Sequence, residues 1–153
     1  MSQPNSSAEI SALYQELILD HYRRPRNKGT LEKPDASVEM KNPLCGDEIG
    51  LQVEFDGNAV HDVRFSGRGC SISQASASMM TQLVKGKSTQ EIDALRNQFR
   101  DLMLGVTSPS GEEESKLGSL RALSGVARFP ARVKCALLAW NALDNALAER
   151  RSA

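Results

Sequence analysis

Between Ile49 and Phe65 the chain twice alternates apolar and polar residues, with a turn between the two runs. Ile49, Leu51, Val53 and Phe55 form the first run, His61, Val63 and Phe65 the second, and Asp56-Gly57-Asn58 supplies the turn. A period of two fits a strand with one buried face, so the segment predicts a β-hairpin with His61 and the apolar residues on one side. A second layer must then cover that side. Register follows from the need for the apolar sides to coincide, since a slip of one residue turns a strand over. Pairing Leu51 with Val63, or Val53 with Val63, meets it. Extended past the strand ends, these two registers set Cys45 opposite Gly69 or Ser71. Either makes Cys45 and Cys70 neighbours at the open end of the hairpin.

The rest of the chain supplies mostly helices. Residues 1–8 are expected to be a disordered tail, with Ser6 and Glu9 at capping-box spacing. A helix is predicted from about Glu9 to Tyr22 on the stripe Ile10, Leu13, Leu17, Ile18, and Pro25 stops it. A loop and a short strand over Val38 to Lys41 lead into the hairpin. Ile72 to Val84 reads as a helix with Ile72, Ala75, Met79, Met80 and Leu83 on one side, ended by Gly86. Ser88 and Glu91 cap a further helix through Met103. Residues 106–116 read as a mobile loop and Leu117 to Leu123 as a short helix. Pro130 suits the first turn of a last helix running to about Arg150. Strands followed mainly by helices predict one α+β domain over 9–150, its helices packed on one face of the sheet.

Lys plus Arg and Asp plus Glu each number 19, so formal charge is zero. That balance gives no support for nucleic-acid or acidic-membrane binding. No apolar run approaches the roughly 18 residues that span a bilayer. The N-terminus, Met1-Ser2-Gln3-Pro4, lacks an apolar leader, so the cytoplasm is the expected compartment.

There thiols stay reduced and free to hold metal. The chain has three cysteines, Cys45, Cys70 and Cys135, and an odd count argues against a disulfide framework. Three thiols and Asp47 can close a tetrahedral metal shell. Asp47 stands two residues from Cys45 and shares its side in extended chain, with Gly46 allowing a tight bend. Cys70 stands where a helix begins, and the helix N-terminus favours its thiolate. Cys135 must arrive from the last helix, and nothing local brings it there. Arg132 and Lys134 beside it would favour its thiolate if near in space. Zinc(II) suits these ligands, and a carboxylate among thiolates exchanges more readily, which points to a working site.

Plainer readings stand beside these. A lone buried cysteine is commonly a small hydrophobe, and Asp47 alone reads as a turn or cap residue. His21 and His61 are read as ordinary, His21 as compensation at a helix end and Met79-Met80 as core.

At the thiols the chain resembles the U-type iron–sulfur assembly proteins, the IscU/NifU-N/SufU family. The matching blocks are Leu13 through Tyr22, Asn42-Pro43-Leu44-Cys45-Gly46-Asp47, Gly67-Arg68-Gly69-Cys70-Ser71-Ile72-Ser73, and Phe129 through Leu137. The resemblance implies an α+β fold with a small antiparallel three-stranded sheet and helices packed on it, of SufE/NifU-like type. It also implies a metal site made by Cys45, Asp47, Cys70 and Cys135. The scaffold branch carries a His just before the third cysteine, where this chain has Lys134. It also carries a Leu-Pro-Pro-Val-Lys chaperone signal, where this chain reads Phe129-Pro130-Ala131-Arg132-Val133. With residues 105–125 resembling an insertion of the SufU branch, the likeness is to SufU.

That likeness implies a zinc-dependent sulfur carrier, a sulfurtransferase working with a SufS-type cysteine desulfurase and passing persulfide sulfur to a downstream Suf scaffold. Cys45 is the expected acceptor, because it sits on a loop tip beside Gly46, with zinc holding it as thiolate. Arg132 and Lys134 are the expected cradle of the persulfide. The alternative is a non-enzymatic scaffold on which an iron–sulfur cluster is built, with iron or the cluster at the same ligands. A structural zinc module with an interaction role is a third reading.

Overall fold

A computed structural model describes residues Ser7–Ser152, with side chains placed for 11–150. The tail read over 1–8 and the Ser6–Glu9 capping box lie outside the described residues, except that the first helix is already under way at Ser7. That helix, α1, runs Ser7–Arg23. Strands β1 (Ala36–Asn42), β2 (Asp47–Asp56) and β3 (Ala59–Arg68) follow. Then come helices α2 (Ser71–Val84) and α3 (Thr89–Met103), a 3₁₀ segment (Glu114–Arg128) and α4 (Pro130–Ser152).

The strands form one antiparallel sheet in the order β1-β2-β3, so the fold is α+β, as the alternation and the resemblance both imply. Of the two registers allowed by the pattern, the chain adopts Val53 opposite Val63. Ala36, Val38, Ile49, Leu51, Val53, Val60, Val63 and Phe65 are buried on one face. Helices α4 and α2 pack over this face, and α1 packs on α2. Full burial of each Val, Ile, Leu or Phe side chain is worth about 1.5–3 kcal/mol, so this stripe holds the layers together.

The hairpin departs from expectation at one place. Between Glu54 and Phe55 the register shifts, leaving His61 as the extra residue on β3. The bulge turns Val60 into the core and His61 outward, where its Nε2 lies 3.7 Å from Glu54 Oε1. The expected place of His61 on the apolar face is therefore corrected.

Helix α2 also differs from a one-sided stripe, since every residue from Ile72 to Met80 is buried. Its small Ala and Ser residues let α1 and α4 approach closely, and its hydroxyls find partners. Ser76 donates to the Ala136 carbonyl at 2.6 Å, tying α4 to α2 one residue from Cys135. Ser78 meets His21 Nδ1 at 2.8 Å and accepts the Arg26 N–H at 2.8 Å. His21 is thus a buried lock between α1 and α2 rather than an exposed helix-end charge.

Helix α3 opens with the Ser88–Glu91 capping box that its sequence predicts. The short helix read over Leu117 to Leu123 is longer and tighter. It consists of two 3₁₀ stretches that meet at a kink at Gly118 (φ 58°), and it buries Leu117, Leu120, Leu123 and Val126. Among the described residues, no helix is long and apolar enough to cross a membrane.

Candidate metal centre

The alternation that buries Ile49, Leu51 and Val53 extends one step further back, to Asp47. The carboxylate therefore points toward the helices and is only 1% exposed. On β1 the same stripe runs through Val38 and Met40 to Asn42, which is also buried and pairs with Asp47 across the strands. Residues 43–46 form the connection between them. The Cys45 N–H returns to the Asn42 carbonyl at 3.2 Å, and Gly46 takes φ 69°, a value that favours glycine. Cys45 is exposed on this turn.

Asp47 then spans the hairpin end. Its Oδ1 accepts the Cys70 N–H at 2.9 Å, and its Oδ2 lies 4.0 Å from the Cys70 sulfur. Cys70 is the N-cap of α2 with extended backbone, and a carboxylate from a neighbouring strand takes its N–H, the bond that an N3 side chain makes in a capping box. Gly69 makes this approach possible, because a Cβ there would overlap Asp47 Oδ1 and Ser73 Oγ. With one oxygen committed to the backbone, the other faces the thiols.

The last helix delivers Cys135. Its thiol is 1% exposed and donates to Cys45 Sγ at 3.2 Å, across 90 residues of sequence. Its Sγ also receives the Asn42 side-chain N–H at 3.9 Å and lies 3.8 Å from the Ala131 carbonyl. Donor atoms of Cys45, Asp47 and Cys135 all fall within 4.8 Å of one another. Cys70 stands beside this group through Asp47, but its sulfur lies beyond that limit from at least one member.

This donor set fits a divalent cation. Tetrahedral zinc with bonds of about 2.3 Å holds sulfurs about 3.8 Å apart, so the two touching sulfurs need open only slightly. Burial, helped by the Asp47 carboxylate and the Cys45 thiol, pushes the Cys135 thiol far above the usual cysteine range. Without a cation this cluster holds its proton. Arg132 and Lys134 are exposed and are not among the groups acting on Cys135, so their expected effect on its thiolate is corrected. A turn of about 100° per residue rotates Lys134 away from the buried side.

The sequence reading missed Asn42, Gly69 and Ser76. A period of two carried back from Val38 and Met40 signals Asn42, and the crowded Gly-Cys-Ser step signals Gly69. Ser76 carries no local signal.

A small α+β domain with thiols and a carboxylate gathered at one corner of its sheet is the class these features define. Residues 13–149 match the family model described as the NifU-like N terminal domain, and the chain belongs to that family. It is 46% identical over 143 residues to the zinc-dependent sulfurtransferase SufU of Bacillus subtilis strain 168, covering 94% of this chain and 95% of that one. It is 44% identical over 146 residues to the iron–sulfur cluster assembly scaffold protein IscU of Streptococcus pyogenes serotype M1, covering 95% and 88%. A crystal structure from Fervidobacterium islandicum AW-1, described as an iron–sulfur cluster assembly scaffold protein for the SUF system, superposes with a TM-score of 0.80. It shares 37% identity, over 93% of this chain and 99% of that one.

Proposed function

We propose that this chain accepts sulfur as a persulfide from a cysteine desulfurase and carries it into iron–sulfur cluster assembly. The proposed zinc ligands are Cys45, Asp47, Cys70 and Cys135. The observation that carries this reading is the contrast between two sulfurs 3.2 Å apart, one exposed on a glycine-flanked turn and one buried in α4. Likeness to a relative named as a zinc-dependent sulfurtransferase supports it. When bound, a divalent ion supplies the positive charge that keeps these thiols deprotonated.

Cys45 is the proposed acceptor. Its thiolate attacks the terminal sulfur of the donor persulfide. A new S–S bond forms at Cys45, the donor's S–S bond breaks, and the donor cysteine leaves as thiolate. The terminal sulfur moves with its hydrogen, so no external oxidant or reductant is consumed. Asp47 orients the site through its bond to Cys70, and Cys135 anchors it from α4. We take the donor to be of SufS type, the recipient to be a Suf scaffold and the compartment to be the cytoplasm. Residues 9–150 are read as one domain in which 105–125 form the SufU-type insertion.

Scaffolding is the second reading, favoured by the likeness to a relative named as a scaffold. One experiment separates the two. Zinc per chain is counted, the protein is mixed with desulfurase and cysteine, and mass spectrometry locates the added sulfur. Zinc retention, desulfurase activation and one extra sulfur on Cys45 support the carrier. A transferable cluster formed without activation overturns it in favour of the scaffold.

A further inference from the structure

Among the described residues, Asn42 contributes an N–H to a sulfur of the candidate centre, and it does so from an unusual place. It ends a strand whose inward positions are otherwise apolar, yet it is itself inward and 8% exposed. Burying a primary amide there is unfavourable unless its polar atoms are used. Its Nδ2 reaches Cys135 Sγ at 3.9 Å. Its main-chain carbonyl accepts the Cys45 N–H at 3.2 Å, and its backbone pairs with Asp47. One residue thus touches the chain at each of the three positions whose donor atoms converge.

The two bonds act differently on the two thiols. At Cys45 the contact is to backbone, so the turn is held while the side chain stays free. At Cys135 the contact is to the sulfur itself, which is also enclosed by α4. A neutral N–H donor beside a thiolate steadies the charged form and fixes its direction without adding charge.

We propose that Asn42 is a positioning residue that makes Cys135 the fixed sulfur of the metal centre and so leaves Cys45 as the sulfur that departs. This rests on the zinc reading above. Such supporting bonds to metal ligands are commonly worth about 10–100-fold in metal affinity.

The test compares wild type with Asn42→Leu, which has similar size and no donor, and Asn42→Gln, which keeps the amide. Zinc transfer to a chromophoric chelator gives affinity. The thiolate-to-metal absorption of the cobalt(II)-loaded protein reports the sulfur environment. Alkylation of the zinc-loaded protein by iodoacetamide, mapped by mass spectrometry, ranks Cys45 against Cys135. Expected for Asn42→Leu are zinc affinity lower by about 10–100-fold, a shifted cobalt band and a reduced preference for Cys45, with partial recovery in Asn42→Gln. Affinity, band and alkylation ranking all as in wild type would overturn the proposal. Should Asn42→Leu fail to fold, Asn42→Ala, which removes the donor without adding a charge or a metal ligand, is read by the same criteria. A wild-type protein that retains no zinc would instead sink the metal reading, and this proposal with it.

Discussion

Asp47 and Cys70 are joined by a 2.9 Å bond from the Cys70 N–H to Asp47 Oδ1, which makes a strand carboxylate the cap of a helix. The bond couples the open end of the hairpin to the start of α2. It also explains how a buried carboxylate with 1% exposure is tolerated: one oxygen is satisfied by the backbone and the other faces the thiols.

Asp47→Ala removes the acceptor and strands the Cys70 N–H. The metal-free protein should lose about 1–3 kcal/mol of stability to urea, the usual cost of an unpaired buried group. Asp47→Asn keeps an acceptor oxygen and should lose less. Both variants should retain less zinc, measured by metal content after dialysis. Unchanged zinc content in both would remove Asp47 from the ligand set.

Gly69→Ala probes the same bond from the other side. The added Cβ overlaps Asp47 Oδ1 and Ser73 Oγ, which are held in a packed corner and cannot both retreat. Overpacking of this kind costs about 1–3 kcal/mol. Thermal unfolding should shift down and metal content fall with it. A variant as stable and as metal-rich as wild type would show that the corner relaxes freely.

Much of this corner can be read in the residues themselves, and the rest cannot for identifiable reasons. Apolar alternation limits the hairpin to two registers, and the structure uses one of them. Carried one step past Ile49, the same alternation points Asp47 inward. The bulge at His61 escapes a period-two reading because it shifts the phase, so counting back in twos from Phe65 and Val63 reaches His61 where the buried residue is Val60. The meeting of Cys135 with Cys45 is also hidden. It depends on how α4 lies against α2 and the sheet, and that placement is fixed by contacts such as Ser76 to Ala136, 60 residues apart. The exposed placement of Arg132 and Lys134 follows from the same docking.

Cys45→Ala should separate chemistry from folding. The side chain is exposed on a turn, so its loss should change metal-free stability by no more than about 0.5 kcal/mol. Desulfurase activation should disappear. Cys135→Ala removes a buried sulfur from the core cluster and should lower stability by more than Cys45→Ala. A collapse of the fold in Cys45→Ala would favour the structural-module reading. Full activation in Cys45→Ala would assign the acceptor to another thiol.

His21 should make the fold sensitive to mild acid. Burial first, and then the nearby Arg26 guanidinium, hold its imidazole neutral to lower pH than usual, while Asp20 opposes them weakly. In the unfolded chain the ring takes up a proton near its ordinary value of about 6.5. Stability is therefore fully present above that pH and falls as pH drops toward the folded value, with a slope of at most about 1.4 kcal/mol per pH unit for one proton. Between about pH 5.5 and 6.5 carboxylates with ordinary values are already ionised, so they add little to the slope. Ser78 accepts the Arg26 N–H and has its own hydrogen to give to Nδ1. In the imidazolium form both ring nitrogens are donors, so Nδ1 then donates to the same Ser78 oxygen that already accepts the Arg26 N–H. Urea unfolding of chelator-treated protein at pH 5.5, 6.0, 6.5 and 7.5 should show the decline in wild type and a flatter profile in His21→Gln. Equal slopes in the two proteins would mean that the acid sensitivity lies outside the α1–α2 lock.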